Sequence, residues 1–417
     1  MRLLFITYDF YPSFGANSYI IYNLSQFFIE MGHEVHVLPL KSAPDLRAEE
    51  IWNDIKIHRI TNSYDKQQVK EYLHQRKLLS VFNLVASLLA DLYTKEEYKK
   101  SQWSYYSLSL FDRIMNQLHI DTVINVCYPF ESCLPIMKYI KQKGKNFNWV
   151  IYMQDPFASN YYYADKYPKE DLLEFQTEVF QSADRIVVTP AIMKEITENR
   201  PPIPPQKFKV LNFPMIKKPY RTQARDDVRF NRHYINCVYV GKFNRETRNP
   251  NLLFKLFEQL QEDYIRLHII GEDAETWKEY LSKENTNIFF HGMRSKGAAI
   301  NAELNANILV NIGNSMNNQL PSKLLEYISM GKPIFNLYKI EDCPTLDYTW
   351  KYPYCYELQE NRIDAKTYRR LRRFCIECRN INLKYDYISR KYYECTVDYV
   401  SYEFLKLLYD TCKTINK

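Results

Sequence analysis

The chain has 417 residues, 46% hydrophobic and 25% charged; this excludes a disordered or fibrous protein and is too long for one ordinary core, so two domains are expected. No run of 18 uncharged apolar residues occurs, which argues against a membrane-spanning helix, and nine scattered cysteines form no disulfide framework and point to a reducing compartment. The formal charge of +7 is uneven: residues 201–250 hold 11 Lys and Arg against 3 Asp and Glu, and residues 351–417 hold 14 against 9. Such strips either face phosphate at a membrane surface or are solvated; without zinc-finger spacing or an RNA-binding signature, no nucleic acid partner is expected.

The N-terminal MRLLFITYDF runs directly into a strand pattern, so no signal peptide and a cytoplasmic location are expected. LLFITY reads as a buried strand, NSYIIYNLSQFFIEM as a helix ended by Gly32, and EVHVLPL as the next strand. IKIHRI, DTVINVCY, NWVIYMQD, RIVVTP and FKVLNF follow as strands, most of them separated by helical patterns. That alternation implies a parallel sheet covered on both faces. Residues 64–118 are longer than an ordinary crossover and read as a helical insertion. Within it, Gln75 to Tyr93 is strongly apolar and reads either as a buried helix or as a flap on a membrane surface.

Residues 215–232, rich in charge and without periodicity, read as a linker closing a first domain of residues 1–214. The alternation then restarts with INCVYVGK, a helix from Pro250, RLHIIGE, a helix, NIFFHG, a helix, ILVNIG, the PSKLLEYISM helix and PIFNLY. A second doubly wound domain over residues 233–385 is expected, with the ligand at the carboxyl ends of the strands between the domains. Residues 386–417 read as a C-terminal helix returning towards the first domain. Cys375 and Cys378 form a lone CxxC that lacks the second pair a metal site needs.

Three loops at strand ends carry the candidate chemistry. In NNQLPSKLLEYISMGKP, Pro321 suits the first helical position and Gly331 the stop, giving a helix of about 10 residues. The 3.6-residue period puts Leu324, Leu325 and Ile328 on one face and Ser322, Lys323 and Glu326 on the other. A lysine in the first turn is disfavoured by up to about 1 kcal/mol unless an anion joins it. It is therefore either a surface partner of Glu326 or part of an anion site. In VGKFNRETRNP, Asn249 can cap and Pro250 open a helix, with Lys242, Arg245 and Arg248 crowding its mouth; phosphate oxygens between them make sense of that charge. In YDFYPSFGANSY, Gly15 permits close backbone approach, and Asn17 or Ser18 can cap the next helix.

These segments resemble the retaining, nucleotide-sugar-dependent glycosyltransferases of the GT-B fold, in particular glycosyltransferase family 4 and related bacterial polysaccharide enzymes. The resemblance spans nearly the whole chain, and PSKLLEYISMGKP is its most specific part. It implies an α/β protein of two Rossmann-like, doubly wound parallel-sheet domains facing a cleft, the C-terminal helices packing back on the N-terminal domain. It also implies transfer of a sugar from a nucleotide-diphosphate donor to a hydroxyl of a glycan or lipid-linked acceptor, in cell-surface polysaccharide synthesis, with a peripheral place at the inner face of the plasma membrane as one option.

The resemblance assigns Ser322 and Lys323 to the donor phosphates and Glu326, the second glutamate of an E-x7-E pattern, to the ribose. Lys242, beside Gly241, takes the basic position after the VGR-type turn. The next basic position falls near Thr247, so that Arg248 serves from one residue on. The backbone of His291, Gly292 and Met293 meets the base, and Gly15 with Ala16 meets donor phosphate or sugar from the first domain. Three departures stand out: Asn318 replaces the first glutamate, Gly15-Ala16 replaces Gly-Gly, and Gln154 and Asp155 stand where many relatives carry a histidine or acid. Asp155 is the candidate on the acceptor side. No Asp-x-Asp sequence occurs, and the resemblance implies protein cations at the leaving phosphate; no bound metal and no bound cofactor are expected. Two alternatives come from other classes: a non-catalytic nucleotide- or partner-binding subunit, favoured by Asn318, and a sugar-nucleotide epimerase.

Overall fold

The computed structural model describes residues 1–12, 15–39, 45–60, 110–160, 163, 167–260, 264–282 and 285–415. The greater part of the expected insertion, including Gln75 to Tyr93, lies outside the described residues. Two compact domains divide the chain: Met1–Pro214 together with Val397–Lys417, and Met215–Thr396.

The first domain is an eight-stranded sheet of β1 (Arg2–Ile6), β2 (Glu34–Leu38), β3 (Glu49–Trp52), β4 (Ile55–His58), β5 (Thr122–Val126), β6 (Asn148–Met153), β7 (Arg185–Val188) and β8 (Phe208–Val210). Its order is β3-β4-β2-β1-β5-β6-β7-β8, parallel except for β3 against β4. Its helices are α1 (Ala16–Glu30), α2 (Leu134–Lys143), α3 (Lys169–Ser182) and α4 (Pro190–Asn199). The inner strands are continuous apolar runs because both faces are covered. On one face Leu4, Ile6, Val123 and Ile151 share a core. On the other, Phe5 stacks on Phe28 of α1 at 6.3 Å.

The second domain holds β9 (Ile235–Val240), β10 (Ile265–Ile270), β11 (Ile288–Phe290), β12 (Ile308–Ile312), β13 (Ile334–Tyr338) and β14 (Cys355–Gln359) in the order β11-β10-β9-β12-β13-β14, all parallel. Its helices are α5 (Asn251–Glu258), α6 (Lys296–Asn305), α7 (Ser322–Met330), α8 (Thr367–Cys378) and α9 (Tyr385–Lys391). Counted along the chain, this is the 3-2-1-4-5-6 order of dinucleotide-binding sheets, whose topological switch lies between β9 and β12.

The last helix, α10 (Val397–Ile415), belongs to the first domain. Phe404 packs on Phe28 and Tyr152 at 6.1 and 5.2 Å, Lys209 pairs with Glu403 at 2.5 Å, and the Tyr409 hydroxyl meets His33 Nε2 at 3.0 Å. Residues 215–232 carry no helix or strand and are tied to α6. The N–H of Thr222 donates to Asn301 at 3.0 Å, and Ser295 donates to Asp226 through its N–H and hydroxyl, both at 2.6 Å.

Three elements differ from expectation. The edge strands β3 and β14 have no counterpart in the sequence reading, because EEIW and CYELQ are only half buried and carry no apolar run. FKVLNF keeps three strand residues. The helix expected after RLHIIGE is a single turn, Ala274–Trp277, followed by a 3-10 turn.

Candidate donor site at the β9/β12 switch

Helix α7 forms because Pro321 caps it and Gly331 ends it at φ +71°. A Cβ on Gly331 would lie 2.3 Å from the Leu383 carbonyl oxygen, so this close crossing admits only glycine. Pro321 is the cap rather than the first helical residue, and the helix is nine residues long. Of the two readings left open for this face, the exposed surface pair does not fit Glu326: Leu324 through Met330 are all buried, Glu326 included, and Ser322 and Lys323 are half-buried. The Tyr327 hydroxyl accepts the Val240 N–H at 2.7 Å, fastening α7 to the end of β9.

The Lys323–Glu326 pair exists, at 2.9 Å, but it is one link of a buried chain. Lys323 Nζ also meets Glu303 Oε1 at 2.6 Å, and Lys296 Nζ meets Glu326 Oε1 at 2.6 Å. The Glu303 side chain is fully buried, and that of Lys323 keeps 22% of its exposure. Two ammonium groups thus alternate with two carboxylates, and their surroundings separate them. Burial opposes the charge of Glu326, but Lys296 and Lys323 outweigh it and hold the carboxyl down to about 2. Glu303 has one lysine contact, and burial followed by repulsion from Glu326 pushes it up to about 7. Burial also opposes the charge of Lys323, yet Glu303 and Glu326 raise its value above the usual lysine range. Burial lowers Lys296, and it brings Lys217, with help from the charge of Lys296, down to about 8.

Sequence reasoning missed Lys217, Lys296 and Glu303. One signal was available: Lys296 and Glu303 are seven residues apart, two helical turns, and so share a face of α6. The first turn of α7 is therefore not a lysine alone against a helix dipole. Ser322 is half-buried, its hydroxyl without a hydrogen bond among the described residues, while Asn318 is 6% exposed.

The loop after β9 leaves the same carboxyl end of the sheet. Gly241 and Gly271 have φ of +145° and +110°, and a Cβ on Gly271 would lie 2.8 Å from the Gly241 carbonyl oxygen. Arg248 donates through Nε and Nη2 to Oδ1 of Asn314, just past β12, at 3.1 and 2.8 Å. Asn249 accepts the Asn251 N–H at 2.9 Å at the start of α5, whose cap is Pro250. Lys242 is exposed; its carbonyl accepts from the Tyr239 hydroxyl at 3.1 Å and from Arg248 Nη1 at 3.4 Å, while its side chain makes no hydrogen bond or ion pair among the described residues. The expected crowding of three cations is corrected: Arg245 pairs with Glu279 at 2.5 Å and lies over the rings of Trp277 and Tyr280 at 5.5 and 5.9 Å. Stacking and a carboxylate draw it aside.

Past β11, the Asn236 amide fixes a proton order. Its Nδ2 donates to the carbonyls of Asn231 and Tyr234, so Oδ1 accepts from His268 Nε2 at 3.0 Å. His268 Nδ1 must then accept from His291 Nε2, also at 3.0 Å. Burial holds His268 down to about 3 and lowers His291 as well. The N–H groups of His291 and Gly292 donate to Ile269 and Glu272, and the Gly292 carbonyl accepts from Gly271. Those backbone groups are committed inside the loop, so a base could be met only by the His291 carbonyl and by Met293, whose side chain is 67% exposed.

In the first domain Gly15 caps α1, its N–H donating to Ser18 Oγ at 3.2 Å, and Ala16 is the first helical residue. A Cβ on Gly15 would lie 2.2 Å from Asp9 Oδ2. The Asp9 carboxyl group thus lies against this helix start. Burial raises Asp9 despite Ser18, and the charge of Asp155 adds to the rise. Asp155 accepts from Asn17 Nδ2 at 3.1 Å, so two carboxylates and an amide meet at the ends of β1 and β6.

Comparisons with known proteins bear on the fold. Residues 221–336 match the family model described as glycosyl transferases group 1. No curated protein matches the sequence. Among solved structures, the chain is similar to sucrose-phosphate synthase from Thermosynechococcus elongatus (12% identity, 100% of this chain and 97% of that one, TM-score 0.59). It is similar also to WaaG, a glycosyltransferase involved in lipopolysaccharide biosynthesis (12%, 99% and 99%, 0.57). A third is Anabaena HepE in complex with UDP and glucose (10%, 98% and 99%, 0.61). Identities this low speak for the fold alone. The chain therefore has the GT-B fold of two parallel-sheet α/β domains, the second of which contains the segment that matches the glycosyl transferases group 1 model.

Proposed function

We propose that this protein is a retaining, family 4-type glycosyltransferase that moves a sugar from a nucleotide-diphosphate donor to a hydroxyl of a glycan or lipid-linked acceptor, in cell-surface polysaccharide synthesis. The observation that carries the reading is that Lys242 and Arg248 follow β9, and Lys323 with the start of α7 follows β12, at the carboxyl ends of the two adjacent strands where the second sheet switches order. The family match over residues 221–336 supports sugar transfer, as does the likeness to HepE, whose structure holds UDP and glucose, and to WaaG, which is involved in lipopolysaccharide biosynthesis.

As the bond from sugar to diphosphate stretches, charge grows on the leaving phosphate, and fixed cations there act selectively on the transition state. Lys323, Lys242 and Arg248 supply that charge in this reading, and Ser322 with the α7 N–H groups supplies hydrogen bonds. Glu326 takes the ribose hydroxyls, Asn318 a sugar hydroxyl, and the His291–Met293 loop the base. Gly15, Ala16 and Asp155 serve from the first domain. The test is thermal melting with UDP, GDP, CDP, ADP and dTDP. A nucleotide at 100 times its Kd stabilises by about 2.7 kcal/mol, and Lys323→Ala should abolish the shift. Binding that survives Lys323→Ala and Glu326→Ala unchanged removes the assignment.

A further inference from the structure

Two members of the four-charge chain, Lys296 and Glu303, have no part in the donor reading, and Glu303 is the carboxylate of the two. It lies on α6, two turns beyond Lys296, with no side-chain exposure. Its Oε1 touches Lys323 Nζ at 2.6 Å, and its Oε2 has no hydrogen-bond partner among the described residues. The groups acting on it are Lys323, Glu326 and Tyr327 from α7 and Lys296 from its own helix, with Lys217 beyond, acting on Lys296 and Glu326. The two carboxylates already balance the ammonium groups of Lys296 and Lys323.

A diphosphate brought to Lys323 adds at least two negative charges to this balanced cluster and competes with Glu303 for the same ammonium. The cluster then has an excess of anions in a buried setting, where Coulomb terms are strong. Protonating one carboxylate is the available relief, and the two are not equivalent. Glu326 is clasped by two lysines and stays ionised down to about 2, whereas Glu303 has one lysine and already sits at about 7. A further anion beside Lys323 raises Glu303 again.

We propose that Glu303 is a positioning residue that holds the Lys323 ammonium in place and takes up one proton from solvent when an anionic diphosphate binds, freeing the ammonium for the phosphate. This rests on the reading that Lys323 meets the donor diphosphate. The proton comes from bulk water or buffer, no other bond changes, and release of the diphosphate returns it.

The test is titration calorimetry at pH 7.5, in HEPES and in Tris, with the nucleoside diphosphate that gives the largest melting shift among UDP, GDP, CDP, ADP and dTDP. The dependence of the heat on buffer ionisation gives the protons taken up. Wild type should take up about half to three-quarters of a proton per nucleotide, and its affinity should weaken by up to about tenfold per pH unit above pH 7. Glu303→Gln should lose that uptake and bind with little pH dependence, while Lys217→Met keeps it. No uptake in wild type, or equal uptake in Glu303→Gln, overturns the role of Glu303 and leaves the donor reading standing. Should Glu303→Gln fail to fold, the wild-type stoichiometry decides alone: zero uptake from pH 6.5 to 8 overturns the proposal. If none of the five nucleotides binds, the donor reading falls, and this inference falls with it.

Discussion

Arg248, on the loop after β9, donates two of its guanidinium nitrogens to the side-chain oxygen of Asn314, just past β12, at 3.1 and 2.8 Å. The contact bridges the two strands at which the second sheet reverses its order. A planar fork suits this arrangement, and a lysine ammonium cannot copy it. In the proposed reaction, Arg248→Ala should slow nucleotide release from the sugar donor about 100-fold to 1000-fold. Arg248→Lys should recover only part of that loss. Wild-type kinetics in Arg248→Lys would show that charge alone matters at this position.

Tyr327 ties α7 to the end of β9. Its hydroxyl is the partner of the Val240 N–H at 2.7 Å, and the side chain is 1% exposed. Tyr327→Phe leaves that amide without its partner inside the second domain, at a cost of about 1–3 kcal/mol. The urea midpoint of the second domain should fall accordingly. A midpoint equal to wild type would mean that water replaces the hydroxyl.

Two glycines separate backbone strain from crowding. Gly32 and Gly331 both have left-handed φ, +82° and +71°, but a Cβ on Gly32 meets nothing within 4 Å, whereas one on Gly331 meets Leu383 O at 2.3 Å. Each substitution by alanine costs about 1 kcal/mol or more for the backbone. Gly331→Ala should cost clearly more than Gly32→Ala, because α7 must also move off the segment at Leu383. Equal losses in denaturant titrations would refute the steric half of this account.

The alternation of strands and helices was legible because buried parallel strands are apolar runs and each helix carries local stop signals, such as Gly32 and Gly331. The order β11-β10-β9-β12-β13-β14 was not, since pairing joins residues far apart in sequence. The basic residues at the site were also visible one by one, but their partners were not. Glu303, in the polar-looking run NAELNAN, reads as a surface residue until α7 is laid across α6. Arg245 reads as one of three cations at a helix mouth until Trp277 and Glu279 are brought beside it. Local spacing reports which face a residue is on, and only the tertiary fold says what charge waits there.

The same cluster makes the acid stability of the second domain depend on Glu303 without any ligand. His268, held mainly by burial down to about 3, lies below the ordinary histidine value of 6.5. It therefore stabilises the fold fully above pH 6.5, and that contribution is lost as pH falls towards its folded value. Glu303, at about 7, lies above the ordinary 4.5. Its contribution is full below pH 4.5 and is lost as pH rises through 7. Between pH 6 and 5 the two slopes oppose each other, each about 1.4 kcal/mol per pH unit. His291, also lowered, acts in the direction of His268. Glu303→Gln removes the opposing slope, so the second domain of the variant should lose about 1.4 kcal/mol per pH unit more than wild type on acidification. Urea titrations at pH 6 and 5 measure this difference, which is independent of histidines common to both proteins. Parallel slopes would place the Glu303 carboxyl at an ordinary value, and the buried charge chain could not then store a proton.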